Sequence, residues 1–260
     1  VDFTIELPYE DVASLQDNKN INVLIGPSFQ NLMLFFNTEK EPLNNKTLRQ
    51  ALSYAFPYQD VVSYCLEGYG RQGRGPIPYG LWGHSEELFQ YKYDLNKAKE
   101  LLEKAGYPEG GFKLMLTYLS GDEAERKTVE LFKAKLSELN IDLEIRGMPW
   151  ESQWALARDD NLGRRQDIFI MYWWPDVCDP YCWLYSNFYS QEEPFFNLCY
   201  YKNKEFDSLA DKAYKESGID RDKATKTYIK AQEILMEDAP VIYIYDKKNV
   251  SFLNKTFKGF

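Results

Sequence analysis

Residues 167–182 read DIFIMYWWPDVCDPYC, and this stretch decides how the fold is interpreted. The apolar run at its start, Ile168 to Met171, predicts a buried strand. Two tryptophans and two aspartates follow where that strand ends. In open α/β sheets, ligands bind in the crevice outside the carboxyl ends of the strands. Aromatic faces and carboxylates at that point suit an organic ligand with apolar parts, including one that carries a cationic end.

A structural interpretation of the same stretch stays open, in which the tryptophans belong to the core and the aspartates cap the next helix. Asp179 followed by Pro180 is a favoured helix start, so we expect Asp179 to be an N-cap. Asp176 and Asp179 lie in one turn, whereas the two carboxylates of a glycosidase flank the scissile bond from different elements. A glycoside hydrolase is therefore the most distant function considered.

The segments before this strand alternate between strand and helix. Alternating apolar residues predict strands at 112–118 and 141–145, and helical spacing predicts helices at 122–139 and 150–157. The order β-α-β-α-β predicts an α/β fold with a mixed, mainly parallel sheet and helices on both faces.

Outside this unit, capped helices and apolar strands continue the same pattern. Arg49 lies on the first of these helices, and we expect it to be structural and not ligand-binding. We predict strands at 31–37 and 240–245, helices at 43–56, 58–67, 94–106, 204–216 and 221–237, and a loop at 68–83.

Composition excludes several classes of function. The net charge of −9 argues against a nucleic-acid partner, which requires basic patches. The single histidine, His84, lies almost a hundred residues before the three cysteines that cluster at 178–199, so neither a metal site nor a cofactor is expected. If the protein is exported, a disulfide between Cys199 and either Cys178 or Cys182 is expected.

Five motifs follow one another between about residues 37 and 246. They are RQALSYA at 49–55 with GPIP at 75–78, YDLNKAKELLEKAG at 93–106, WWPDVCDP at 173–180, Asn197 and Tyr201 with NKEFD at 203–207, and APVIYIY at 239–245. Together they resemble family 5 extracellular solute-binding proteins, the peptide, nickel and oligosaccharide receptors of ABC importers.

The resemblance implies one lobe of a two-lobed, periplasmic-binding-protein-like (type II) fold that closes over its ligand. Members of that family are about twice as long as this chain, so we expect the chain to be a second-lobe fragment whose first lobe is missing. Residues 1–30 would be a lead-in left from lobe one, 31–245 the ligand-binding α/β lobe, and 246–260 a return segment toward lobe one.

The resemblance also implies a binding site. In peptide-binding relatives the first aspartate of the WWPDVCDP turn contacts the α-amino group of the ligand, and the matching residue here is Asp176. An ammonium paired with a carboxylate is among the stronger polar contacts. We expect Trp173, Trp174 and Asp176 at one edge of the lobe, partly exposed. The full set of expected ligand-binding residues is Trp173, Trp174, Asp176, Asn197, Tyr201 and Trp82.

The implied function is delivery of an oligopeptide to the permease of an ABC importer, outside the cytoplasm, by a receptor anchored to the membrane in its full-length form and without catalysis. An oligosaccharide is the alternative ligand, because the same turn persists in sugar-binding relatives. The resemblance also favours a Cys182–Cys199 disulfide, since the family counterpart of Asn197 lies close to the ligand turn.

Overall fold

The computed structural model describes residues 3–4, 7, 9–174, 176–193 and 195–257. The strands of these residues form one sheet. They are β1 (Phe3–Thr4), β2 (Ile21–Phe36), β3 (Gly70–Gln72), β4 (Lys113–Leu119), β5 (Asp142–Met148), β6 (Ile168–Trp173) and β7 (Val241–Asn254).

Helices occupy most of the chain between the strands, close to the positions that the sequence predicts. They are α1 (Tyr9–Gln16), α2 (Lys46–Ala55), α3 (Tyr58–Leu66), α4 (Leu95–Lys104), α5 (Glu123–Ser137), α6 (Trp150–Ala157), α7 (Pro180–Phe188), α8 (Lys204–Ser217) and α9 (Arg221–Asp238).

The sheet has the strand order β1-β7-β2-β6-β4-β5, with β3 added beside β7. Strand β4 pairs in parallel with β5 and β6. The pairings of β2 with β6 and β7, and of β7 with β1 and β3, are antiparallel. The predicted mixed α/β sheet is confirmed, but its expected mainly parallel character is corrected. Parallel pairing is confined to the unit with helical crossovers, β4-α5-β5-α6-β6, because hydrophobic periodicity locates strands without stating which strands pair.

Helices cover both faces of the sheet, as predicted. Phe35 and Phe169 are paired in register and therefore share one face. On that face the ring of Phe169 packs edge-on against Trp150 of α6, and Phe35 stacks on Phe188 of α7. The crossover through α5 leads from β4 outward to β5, and the one through α6 leads back, so right-handed crossovers place α5 on the opposite face.

Strands β2 and β7 extend beyond the main sheet as a long antiparallel ribbon, which pairs Ile21 with Asn254 at its far end. The predicted strand ended at 245, whereas β7 continues to Asn254. The lead-in 1–30 also contains a helix, α1, which the sequence did not predict. Its Val12 packs with Val250 and Phe252 in a small cluster separate from the main core, so burial against the ribbon stabilises α1.

Arg49 joins α2 to the beginning of β7. Its side chain is 5% exposed. The guanidinium donates to the backbone carbonyls of Asp238 (2.7 Å) and Ala239 (3.2 Å), and also to that of Leu43 (2.9 Å). Several buried carbonyl groups therefore depend on one planar cation, which agrees with the structural role expected for Arg49.

We predict that Arg49→Lys and Arg49→Met each lower the free energy of unfolding by about 2–4 kcal/mol, because each leaves buried carbonyls without donors. Lysine is not expected to rescue, since an ammonium cannot match the fork of a guanidinium. Urea unfolding followed by circular dichroism measures the effect. Gln50→Ala, which removes one exposed hydrogen bond to Glu237 from the same helix, is the control. Wild-type stability in Arg49→Lys would contradict this account.

Candidate functional site

The carboxyl ends of β4, β5 and β6 meet at one edge of the sheet. We call this edge the rim and define it by the last residues of those strands, Leu119, Met148 and Trp173. The rim continues across β2 and β7, because Asn31 pairs in register with both Trp173 and Asp246.

The predicted Trp-Asp turn begins at the rim. Trp173 is half-buried, and its ring centroid lies 4.9 Å from that of Phe196. The indole Nε1 of Trp173 is buried without a hydrogen-bond partner among the described residues. Trp174 is 61% exposed, and Asp176 is exposed. The three residues thus have the partial exposure expected of them, while their role in binding stays a prediction.

Asp179 differs from Asp176 in its surroundings. Its side chain accepts a hydrogen bond from the backbone N–H of Tyr181 at 2.9 Å, and Pro180 is the first residue of α7. The predicted N-cap is confirmed. One of the two carboxylates therefore stabilises a helix, which leaves Asp176 as the acidic group of the turn that is open to solvent.

Asn197 and Tyr201 are not presented at the rim. Asn197 is 1% exposed, and its amide donates to the carbonyls of Tyr189 (3.0 Å) and Tyr201 (2.9 Å). The hydroxyl of Tyr201 donates to Asp238, the last residue of α9, at 2.6 Å. Both side chains hold the segment between α7 and α8 in place. The motif match alone could not separate this structural role from ligand contact.

Trp82 packs against α9. Its ring centroid lies 5.6 Å from that of Tyr228, and the guanidinium of Arg221 lies 4.9 Å from the same indole. The ring contacts of Trp82 are thus with α9. Among the described residues, none of them joins Trp82 to the rings of the Trp-Asp turn.

All four cysteines are described, and each is a free thiol. The structure therefore does not contain the expected Cys182–Cys199 disulfide. Cys199 is fully buried, and its carbonyl accepts from Thr38, just beyond the end of β2 that lies away from the rim. Cys182 lies in the first turn of α7, which starts from the rim. The two residues belong to different ends of the sheet, which sequence separation cannot reveal.

A cluster of aromatic side chains beside Trp173 was not predicted from the sequence. Trp154 stacks on Trp150 with centroids 5.5 Å apart, and it contacts Phe195 and Phe196 at 5.5 and 5.2 Å. Trp150 and Phe195 are 37% and 53% exposed. The signal in the sequence was the i, i+4 spacing of the two tryptophans on a helix that directly follows the end of β5.

A buried acidic group lies next to the rim on the other face of the sheet, the face that α5 covers. Glu125, in the first turn of α5, is 2% exposed and accepts from the N–H of Leu119 at 2.7 Å. Burial raises the pKa of Glu125 to about 8. The hydroxyls of Tyr172 and Tyr245 lie 2.6 Å apart on the same face, and burial raises the pKa of both phenols. Burial therefore disfavours the charged forms of Glu125, Tyr172 and Tyr245 on this face.

Residues 1–195 match the family described as bacterial extracellular solute-binding proteins, family 5 middle. The chain belongs to family 5. The match covers the carboxyl ends of β4, β5 and β6, the Trp-Asp turn and α7, and it ends before the motifs at 197–207 and 239–245.

Family 5 relatives match over the whole chain. The chain is 31% identical to the probable D,D-dipeptide-binding periplasmic protein DdpA of Escherichia coli (strain K12), over 100% of this chain and 49% of that protein. It is 29% identical to the glutathione-binding protein GsiB of Escherichia coli O6:K15:H31, over 99% of this chain and 50% of that protein. The chain therefore spans about half the length of the curated relatives that it matches.

A solved structure of a periplasmic binding protein has the same fold over half of its length. The periplasmic binding protein DppA of Helicobacter pylori, in complex with the peptide STSA, superposes with a TM-score of 0.87 at 28% identity, over 100% of this chain and 50% of that one. The chain thus has the fold of about half of that protein, which confirms the expected periplasmic-binding-protein-like fold. In the part of the chain that the structure describes, no helix is long and apolar enough to cross a bilayer.

We predict that Glu125→Gln becomes more stable relative to wild type as pH rises from 5 to 8. A carboxyl with a raised pKa keeps its proton in the folded state, so the wild type loses stability between the unfolded value of 4.5 and the folded value of about 8. Glutamine, which cannot ionise, avoids that loss. Thermal unfolding at pH 5 and pH 8 measures the difference in melting temperature.

Glu123→Gln on the same helix is the control. A hydrogen bond from Arg126 lowers the pKa of Glu123. Its stabilising contribution is therefore fully present throughout this pH range, and its difference from wild type should be the same at pH 5 and pH 8. A Glu125→Gln difference that is equally independent of pH would show that Glu125 is already ionised at pH 5.

Proposed function

We propose that this chain forms the second lobe of a receptor that captures oligopeptides outside the cytoplasm and delivers them to the permease of an ABC importer. The ligands of the relatives support a peptide as ligand: a D,D-dipeptide for DdpA, glutathione for GsiB, and the peptide STSA for the Helicobacter pylori protein. The receptor is a binding protein and not an enzyme, and in its complete form it is anchored to the membrane.

The observation that carries the proposal is an exposed carboxylate beside aromatic faces at the carboxyl ends of the strands. Asp176 follows Trp173 and Trp174, and a peptide supplies both an ammonium for the carboxylate and apolar groups for the rings. The cap formed by Asp179 argues against a pair of catalytic carboxylates, because the oxygen that caps α7 is already occupied.

The proposed division of the chain follows the two clusters of buried side chains. The main core is built from residues of the segment 31–245, whereas Val12, Val250 and Phe252 form a cluster of their own. The register of β2 with β7 shifts between Pro27 and Gln30. We assign 1–30 and 246–260 to the contact with the first lobe, which would close over the rim.

An oligosaccharide remains the second candidate, and the aromatic cluster favours it. Trp150, Phe195 and Trp174 expose ring surface along the rim, and such surface can stack on sugar rings. A sugar would not need a counter-charge, so Asp176 distinguishes the two ligands.

We predict that Asp176→Ala in the complete receptor weakens binding of a peptide with a free N-terminus about 10- to 100-fold, the loss expected from one charge-assisted hydrogen bond. The same peptide with an acetylated N-terminus should bind wild type and variant alike. Calorimetric titration measures both. Glu192→Ala removes an exposed carboxylate from the neighbouring loop and should leave the affinity of both peptides unchanged.

Unchanged affinity for the free peptide in Asp176→Ala would remove Asp176 from the site. Binding of oligosaccharides alone, with no response to either peptide, would replace the peptide proposal by the sugar alternative.

A further inference from the structure

A cavity of about 310 Å³ lies between α2, α4, α9 and the loop that precedes α4. Each of the three helices contributes a pair of lining residues that are four positions apart: Gln50 and Tyr54 from α2, Lys97 and Leu101 from α4, and Glu233 and Glu237 from α9. Residues at this spacing share one face of a helix, so one face of each helix borders the cavity. A cavity of this size holds a small organic ligand.

The cavity lies in a different part of the lobe from the rim. Glu237 lies in the last turn of α9, just before β7 begins. The first residue of β7, Val241, pairs with Phe35, whereas the rim lies where Asn31 pairs with Asp246. All lining residues belong to the segment 31–245 and none to the segments assigned to the contact with the first lobe. The proposed peptide site does not account for this cavity.

Three aromatic rings line the cavity, and we call Tyr54, Phe89 and Tyr91 the aromatic wall. The ring of Tyr91 packs at a steep angle against both others, with centroids 5.1 Å from Tyr54 and 4.9 Å from Phe89. Tyr91 is buried, and its hydroxyl donates to the carbonyl of Met236 at 3.0 Å. Phe89 is 52% exposed. The wall is thus fixed to α9 by Tyr91, while Phe89 keeps ring surface open to a ligand.

The charged residues that line the cavity are Lys97, Glu233 and Glu237. The ammonium of Lys97 pairs with Glu100 at 2.9 Å. Glu237 pairs with Lys46, also at 2.9 Å. Glu233 is exposed, and within the described part of the chain no hydrogen bond or ion pair joins its carboxylate to another residue. The cavity therefore has a carboxylate available to a cation, whereas the ammonium of Lys97 is already paired.

We propose that this cavity binds a quaternary ammonium group, which lies against the aromatic wall with the carboxylate of Glu233 as its counter-charge. Aromatic rings attract cations through the negative charge of their faces, and several rings around one quaternary ammonium are a recurrent form of this recognition. The site is separate from Asp176, and it does not depend on the receptor function proposed above.

The mainly apolar lining favours a quaternary over a primary ammonium. A primary ammonium carries three N–H donors, each of which needs an acceptor when it leaves water. The methyl groups of a quaternary ammonium donate no such hydrogen bonds, so this cation loses less on contact with rings and with the apolar side chains of Leu101 and Met236. The cavity therefore matches a cation whose surface is apolar.

The experiment titrates the 260-residue chain with choline and follows the chemical shifts of the protein by NMR. The same titration is made with neohexyl alcohol, the neutral isostere in which a carbon atom replaces the nitrogen, and with ethanolamine, the corresponding primary ammonium. We expect choline to bind saturably and about fivefold more tightly than either of the others, because the rings favour a cation and the lining favours methyl groups. Equal affinity for choline and either of the two other probes would overturn the proposal.

Two exposed phenylalanines give a matched pair of variants. Phe89→Leu removes a ring of the aromatic wall but keeps an apolar side chain, so it should lower the affinity for choline about threefold and leave that for neohexyl alcohol unchanged. Phe195→Leu changes a ring of similar exposure, 53%, in the aromatic cluster beside Trp173, and it should bind choline as the wild type does. Loss of the preference for choline in Phe195→Leu, with retention in Phe89→Leu, would assign choline to the rim and overturn the proposal.

A second pair of variants tests the counter-charge. Glu233→Gln keeps the shape of the side chain without its charge, and it should lower the affinity for choline about threefold without changing that for neohexyl alcohol. Asp176→Asn, at the exposed carboxylate of the Trp-Asp turn, should keep the wild-type preference for choline. A Glu233→Gln variant that also keeps the wild-type preference would show that this carboxylate is not the counter-charge and would contradict the proposal.

Discussion

The antiparallel pairing of β2 with β7 is the interaction on which the rest of the structure depends. The pairing runs from Ile21 opposite Asn254 to Phe35 opposite Val241. Strand β6 pairs with the other edge of β2. Residues 31–36 and 241–245 are buried in succession, so both faces of this pair are covered. A slip of one residue would exchange the two faces and bring every buried side chain of the strand against the wrong neighbours.

Polar contacts at both ends fix this register. Arg49 binds the carbonyls that precede β7, and Asp246 accepts from Tyr79 at the rim. Opposite Asp246 in the register, Asn31 donates to the carbonyl of Pro76 at 2.8 Å and accepts from Nε1 of Trp183 at 3.3 Å. The strands beneath the Trp-Asp turn are thus tied to the loop at 76 and to α7. A binding surface gains from such a scaffold, because a rigid site loses less entropy when a ligand is ordered on it.

The sequence predicted what local chemistry determines. Helices were predicted close to their observed positions because their starts depend on short-range contacts: the side chains of Asn45, Asp94 and Asn203 each accept from N–H groups of the first turn that follows them. Strand order, the length of β7 and the burial of Asn197 depend on contacts between distant segments, which spacing does not contain. The burial of Asp246 had no signal in the sequence either, since an aspartate near the end of an apolar run is usually exposed.

Water limits how strongly Asp176 by itself can hold a charged group. An exposed carboxylate attracts an ammonium at 4 Å by only about 1 kcal/mol, because water screens the charges. If Asp176 binds the ammonium of a peptide as proposed, it is a weak anchor by itself, and it becomes a stronger one when a second surface covers the ligand and excludes water. The chain spans about half the length of its relatives, which leaves room for such a surface.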